Sequence, residues 1–225
     1  MVKLAKPNKK KLLENTERQL LRYERRPLDV SYDSLARTYM YLKEFSKYCD
    51  AMEKALEMQE GQINLAKEKN GPYSIASEIH TKANFLRLLF REEESRRVFK
   101  EALRLYKQAL PEDYRNDPDT YRNVIVQIST VEFHLGNYQN SIDICETYKG
   151  EKPIAEMISR AILDGNNPEI LEKTMDIIKK ENRGIPMGME NGNTTSLWDF
   201  YEICLQLLGL PSILDEIKAY IESRQ

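Results

Sequence analysis

A chain of 225 residues, 41% apolar and 31% charged, is long enough for one elongated domain or two small ones with a substantial core, and this balance suits a helical protein with heavily charged outer faces. Its sequence contains no uninterrupted apolar run of about 18 residues, which excludes a transmembrane helix, and its cationic N-terminus lacks the apolar core and small-residue cleavage site of a secretion signal. The net charge of −2 hides an asymmetry: residues 1–26 hold nine Lys and Arg against three Glu, whereas the remaining 199 hold 25 against 33.

In chain order, Lys9, Lys10 and Lys11 lead into a helix expected over 8–25, which stops before Pro27 and makes 1–30 a basic capping segment or the second half of an incomplete repeat. Residues 45–70 repeat Phe45, Tyr48, Cys49, Met52, Leu56, Ile63 and Ala66 at helical spacing. That helix ends with Lys67 and Lys69 in its last turn and Asn70-Gly71-Pro72 as its stop. Residues 111–118 read as a loop in which Asp117 starts the next helix and Pro118 takes its first position. Pro153 opens a shorter helix to about Leu163, residues 164–168 break the chain, and another helix runs to Lys180. The segment 184–194, with Gly184, Pro186, Gly188 and Gly192, is the most flexible interior stretch; Met187 and Met189 make it either an adaptable lid or a disordered loop. Two last helices, over about 196–208 and 211–223, are divided by Gly209-Leu210-Pro211, and Ser196 with Asp199 forms a capping pair for the first of them. No long strand pattern occurs, so the expected class is all-α.

The turn Leu135-Gly136-Asn137-Tyr138 lies between two amphipathic patterns, and aligning on it divides the chain into three helix-turn-helix units centred on Ala36, Ala83 and Ser129, 47 and then 46 residues apart. The first unit carries Tyr32, Leu35, Ala36 and Tyr39 on one helix, Phe45 in the turn, and Met52, Ala55 and Leu56 on the second helix. The second unit has Ala83, Phe99, Ala102 and Leu103, but its turn, Arg91-Glu92-Glu93-Glu94, has neither Gly nor an aromatic. The third has Ile125, Ile128, Ser129, Gly136, Tyr138 and Ser141. In these positions residues 31–149 resemble the tetratricopeptide repeat, with elongated repeats against a family norm of about 34 residues. Three departures stand out: Tyr48 where the family has a small residue, Glu132 in place of an aromatic, and Tyr148 in place of Ala. A ring at Tyr48 is expected to widen the packing between the two helices.

The resemblance implies a right-handed superhelix of stacked hairpins over 31–150, continued by a helical extension over 151–225, with about ten or eleven helices in all. The physical reading agrees. Small residues at Ala36, Ala83 and Ser129 let neighbouring helices approach, the aromatics one turn away fill the remaining space, and no hairpin buries its apolar face without a stacked neighbour.

In tetratricopeptide proteins the first helix of each hairpin lines a concave groove. Carrying the groove positions over gives Asp33, Arg37, Met40 and Tyr41, then His80, Asn84, Arg87 and Leu88, then Val126, Thr130, Phe133 and His134. Arginine forks grip carboxylates and rings supply rigid apolar area, so Arg37, Tyr41, His80, Asn84, Arg87, Thr130, Phe133 and His134 are the candidate contacts to a peptide or protein partner. The alternative for His80 and His134 is that they fill helix packing. The family's clamp for a chaperone C-terminus needs a set of Lys, Asn and Arg that only Asn84 fits, so that ligand is not implied.

Enzymatic signatures are missing from the sequence: no Gly-rich loop precedes a Lys-Ser/Thr pair, and there is neither a His-Glu-x-x-His helix nor a paired-cysteine metal spacing. Cys145 and His134 flank one turn, but Cys145 reads as a core residue, and Glu92-Glu93-Glu94 reads as a solvated turn rather than a metal partner of His80. Three scattered cysteines, Cys49, Cys145 and Cys204, read as reduced thiols of a cytoplasmic protein. The expected function is therefore non-catalytic protein binding without metal or cofactor, as an adaptor, a peptide-sensing regulator or an antagonist, with a hydrolytic enzyme the least supported class. The second reading is a nucleic-acid-associated regulator using the basic N-terminus; there Tyr23 is the one aromatic among the cations, which gives bases little to stack on. A flank of the last helix, with Leu214, Ile217 and Ile221, offers a seat for a second copy.

Overall fold

The computed structural model describes Arg18 and residues 32–69, 71–110, 118–146, 152–181 and 197–224. Apart from Arg18, the helix expected over 8–25 lies outside them, as do the loop residues 111–117 with Asp117, the loop over 184–194, Ser196 and Tyr148. Among the described residues the chain forms ten helices and no strand: α1 Tyr32–Leu42, α2 Phe45–Lys69, α3 Pro72–Leu88, α4 Glu92–Ala109, α5 Pro118–His134, α6 Tyr138–Glu146, α7 Ile154–Leu163, α8 Pro168–Glu181, α9 Leu197–Leu207 and α10 Ile213–Glu222.

Local chemistry sets most of these boundaries. Gly71 is extended ahead of Pro72, which occupies the first turn of α3 where a missing N–H costs nothing. The three glutamates of the turn before α4 fall inside its first turn, where the positive end of the helix dipole favours them. Asn167 caps α8 by accepting from Glu169 N at 3.0 Å and Ile170 N at 3.4 Å, and Ser212 caps α10 by accepting from Leu214 N at 3.2 Å.

The hairpin turns are alike despite their different residues. Lys43, Phe90 and Gly136, each seven residues past the small residue of its unit, adopt φ of 60°, 56° and 81°. In each case the N–H of that residue and of the next one close a nested pair of bonds onto the end of the first helix: Lys43 to Met40 O and Glu44 to Tyr39 O, Phe90 to Arg87 O and Arg91 to Leu86 O, Gly136 to Phe133 O and Asn137 to Glu132 O. This is a left-handed helix end with both orphan carbonyls satisfied. The second turn lacks a glycine, yet Phe90 takes the same conformation and packs on the core around Leu86 and Leu89.

The small residues meet across their hairpins as expected. Ala36, Ala83 and Ser129 are fully buried, and twelve positions on stand Tyr48, Ser95 and Ser141, also buried. Ser95 Oγ donates to Ala83 O at 2.9 Å, and Ser129 Oγ donates to Ser141 O at 3.0 Å, so backbone and hydroxyl touch directly. The ring at Tyr48 does something the sequence did not indicate: it leaves its own hairpin, and its hydroxyl donates to Leu88 O at 2.8 Å at the end of α3. Glu132, also a departure, is buried and takes Lys107 Nζ at 3.1 Å and Asn137 Nδ2 at 2.8 Å.

Consecutive helices from α1 to α9 pack on one another in order, and α7 also packs on α5 and α9. Three apolar clusters result: one from α1, α2 and the end of α3, a second from α2 to α5, and a third from α5, α7, α8 and α9. The run does not simply end. α10 returns to pack on α1, placing Leu214 and Ile217 inside the first cluster with Ile221 against it. The seat for a second copy expected on that flank is therefore taken by the chain's own N-terminal hairpin, because a row of Leu and Ile that faces solvent in a linear repeat is buried once the chain closes on itself.

Candidate functional site

Side chains from the first helices of the three hairpins, α1, α3 and α5, meet the start of α9. Five of the eight candidate contacts stand there. Arg37 and Tyr41 come from α1, Arg87 from α3, and Phe133 and His134 from the last turn of α5. Each touches the first turn of α9, in residues Trp198, Asp199 and Phe200.

Charge organises the centre of the contact. Arg37 Nη1 donates to Asp199 Oδ1 at 3.3 Å and Arg87 Nη2 donates to Asp199 Oδ2 at 3.2 Å. The carboxylate side chain is 5% exposed and the two guanidinium side chains 18% and 15%, so this is a nearly dry bridge across 162 and 112 residues of sequence. Rings flank it. Tyr41 meets Trp198 edge to face at 5.4 Å, and Trp198 in turn stacks on Tyr201 at 4.9 Å. His134 is sandwiched: its ring lies nearly parallel to Phe99 on one side, 5.2 Å away, and to Phe200 on the other, 5.8 Å away. Phe133 closes on Phe200 at 5.6 Å.

Not every candidate faces α9. His80 is fully buried in the packing of α3 against α4 and α5, 5.9 Å from the Tyr106 ring and 5.6 Å from Phe99. Burial, and then the positive charge of Arg87, hold its imidazole at a pKa of about 3, against the pull of a Gln127 hydrogen bond. Burial, Arg87 and His80 depress His134 as well. Both rings are thus neutral near pH 7. Asn84 is buried, and Thr130 is buried with its hydroxyl donating to Val126 O at 2.9 Å. Of the eight candidates, five converge on α9 and three sit deeper.

The partner of the two arginines was the residue that sequence reasoning missed. Asp199 looked like half of a helix cap. A usable signal was present: α9 reads Leu197, Trp198, Phe200, Tyr201, Ile203, Cys204 and Leu205 around nearly its whole circumference. A helix apolar on all sides is buried, and a carboxylate inside it requires a cation.

α9 is fixed at its other faces by α7, α8 and α10. Lys179 of α8 lies 5.7 Å over the Tyr201 ring, and Glu202 accepts from Ser212 Oγ at 2.7 Å and Ile213 N at 2.9 Å at the start of α10. The cysteines are protonated thiols: burial raises Cys145 to about 11 and Cys204 to about 12, which leaves no thiolate for nucleophilic chemistry at neutral pH. Among the described residues, no helix is long and apolar enough to cross a membrane.

Residues 79–119, from α3 through α4 to the start of α5, match the sequence model of the tetratricopeptide-repeat family. The match falls on the second unit, whose turn departs furthest from the expected pattern. A search of curated proteins finds no match.

Proposed function

We propose that this tetratricopeptide-like repeat protein is a non-catalytic interaction module that takes a peptide or protein segment where α1, α3 and α5 meet the start of α9. The observation that carries this reading is the convergence of Arg37 and Arg87, from two different hairpins, on one carboxylate flanked by aromatic rings. Two guanidinium groups aimed at one point, with Tyr41, Phe133 and His134 as apolar shelves around it, form the type of centre on which protein interfaces concentrate their energy. In the chain itself that centre holds a helix, α9, so a helical segment fits the space. Contacts to a partner are assigned to Arg37, Tyr41, Arg87, Phe133 and His134, with His80, Asn84 and Thr130 supporting them from behind.

The test is capture of partners from the native host by the full chain and by an Arg37→Ala/Arg87→Ala variant whose circular dichroism is unchanged. Partners present with the parent chain and lost with the variant support the reading. Partners retained by the variant overturn it.

A further inference from the structure

We propose that Asp199 is a built-in competitor for the ligand: the groove recognises a helical protein segment that presents a carboxylate beside an aromatic side chain, and that segment binds by displacing the first turn of α9. The inference rests on the groove reading above and goes beyond it in naming the partner's chemistry and the step that admits it.

The geometry of the bridge points this way. Charge-assisted N–H···O bonds ordinarily close to about 2.7–2.9 Å, and an Arg–carboxylate pair gains most when both oxygens meet one guanidinium. Asp199 does neither. It divides its oxygens between two arginines, one each, at 3.3 and 3.2 Å. The Nε of Arg87 is buried and has no hydrogen-bond partner among the described residues. Half of the Arg87 fork is therefore unused. A carboxylate delivered from outside, not tethered between Arg37 and Arg87 by the position of α9, can take Nε and Nη2 of Arg87 together.

The attachment of α9 also fits a competitor. Its helix axis is packed by α7, α8 and α10, and its polar and ring contacts to α1, α3 and α5 come from its first turn: Trp198 to Tyr41, Asp199 to the arginines, Phe200 to Phe133 and His134, with Ile203 packed against the first apolar cluster one turn on. Freeing that first turn exposes the arginine pair and two ring shelves without dismantling the three hairpins. An incoming segment replaces like with like, an acid for Asp199 and a ring for Phe200 or Trp198. The internal copy competes at the high effective concentration of a tethered group, so only a segment with the better bidentate fit, or a chain whose own anchor is weakened, shows binding.

The probe is a fluorescent synthetic peptide carrying residues 197–207, titrated into the full chain and followed by anisotropy. The expected result is binding at least tenfold tighter to the Asp199→Asn chain than to the parent. This gain should vanish when the peptide's own aspartate is replaced by asparagine, or when Arg87→Ala is added to the chain. If Asp199→Asn does not fold, Trp198→Ala loosens the same turn, leaves the charges in place and should give the same gain. Equal affinity for parent and loosened chains, or affinity indifferent to the peptide's aspartate, overturns the proposal. Host partners that need Arg37 and Arg87 but are captured equally with and without Asp199→Asn also remove this inference, while the groove reading stands.

Discussion

Tyr48 Oη donates to Leu88 O at 2.8 Å, and the ring between them is 1% exposed. This bond runs from the second helix of one hairpin to the end of the first helix of the next, at a position where the family has a small residue. Removing only the hydroxyl, Tyr48→Phe, leaves a buried carbonyl short of its donor and should cost about 1–3 kcal/mol. Restoring the family's small residue, Tyr48→Ala, opens a cavity and should cost about 3–5 kcal/mol. Urea denaturation of the two variants checks the order; a Tyr48→Ala chain as stable as the parent would place the ring wrongly.

Glycine to alanine should have opposite signs at two positions. Gly136 sits at φ 81° with nothing within 4 Å of an added Cβ, so Gly136→Ala loses about 1–2 kcal/mol purely to backbone strain. Gly61 lies exposed inside α2, also with open space around its Cβ, and there Gly61→Ala should gain about 0.5–1 kcal/mol. Thermal melts of both variants decide this, since packing contributes to neither.

His80 should make the fold acid-sensitive. Its folded pKa of about 3 lies below the ordinary 6.5, so it contributes stability that is present above pH 6.5 and lost as pH falls toward 3. A single such group costs up to about 1.4 kcal/mol per pH unit within that window. His80→Gln should flatten the fall in stability between pH 6.5 and 4 without abolishing it, because His134 is depressed as well. Denaturant titrations at several pH values measure the slope. An unchanged slope would show that His80 is not buried neutral.

Glu202 carries the opposite sign. Burial raises its carboxyl above 4.5 against the pull of the Ser212 and Ile213 bonds. Its contribution is therefore fully present below pH 4.5 and is lost as pH rises through the folded value. Glu202→Gln keeps an acceptor for Ser212 Oγ and Ile213 N and removes the charge that burial penalises. The variant should equal or exceed the parent in stability at pH 7, and its advantage should shrink on acidification. A variant weaker than the parent at pH 7 would mean that the charge itself is needed at the start of α10.

Much of this architecture is legible in the residues. The apolar spacing of α2 and the Gly71-Pro72 stop gave its end to within a residue. The small residues Ala36, Ala83 and Ser129 marked where helices meet, and Gly136 marked a turn whose conformation Lys43 and Phe90 also adopt. The Phe90 turn was harder to see, because a left-handed φ leaves a sequence signature when glycine supplies it and none when a bulky residue is held there by packing on Leu86 and Leu89. The candidate contacts on α1, α3 and α5 follow from the repeat register; five of the eight meet the first turn of α9, and His80, Asn84 and Thr130 lie deeper.

Spacings of three, four and twelve residues along the chain fix its periodic part: helix class, hairpin register and the small-residue contacts. The tertiary structure alone decided that α10 returns to α1, that Asp199 lies between Arg37 and Arg87, and that Phe200 covers His134. Those pairings join residues more than 60 positions apart, where no local periodicity operates. They are set by which apolar helix remains unburied when the repeats have stacked, and by the need of Asp199, buried within that helix, for a cation.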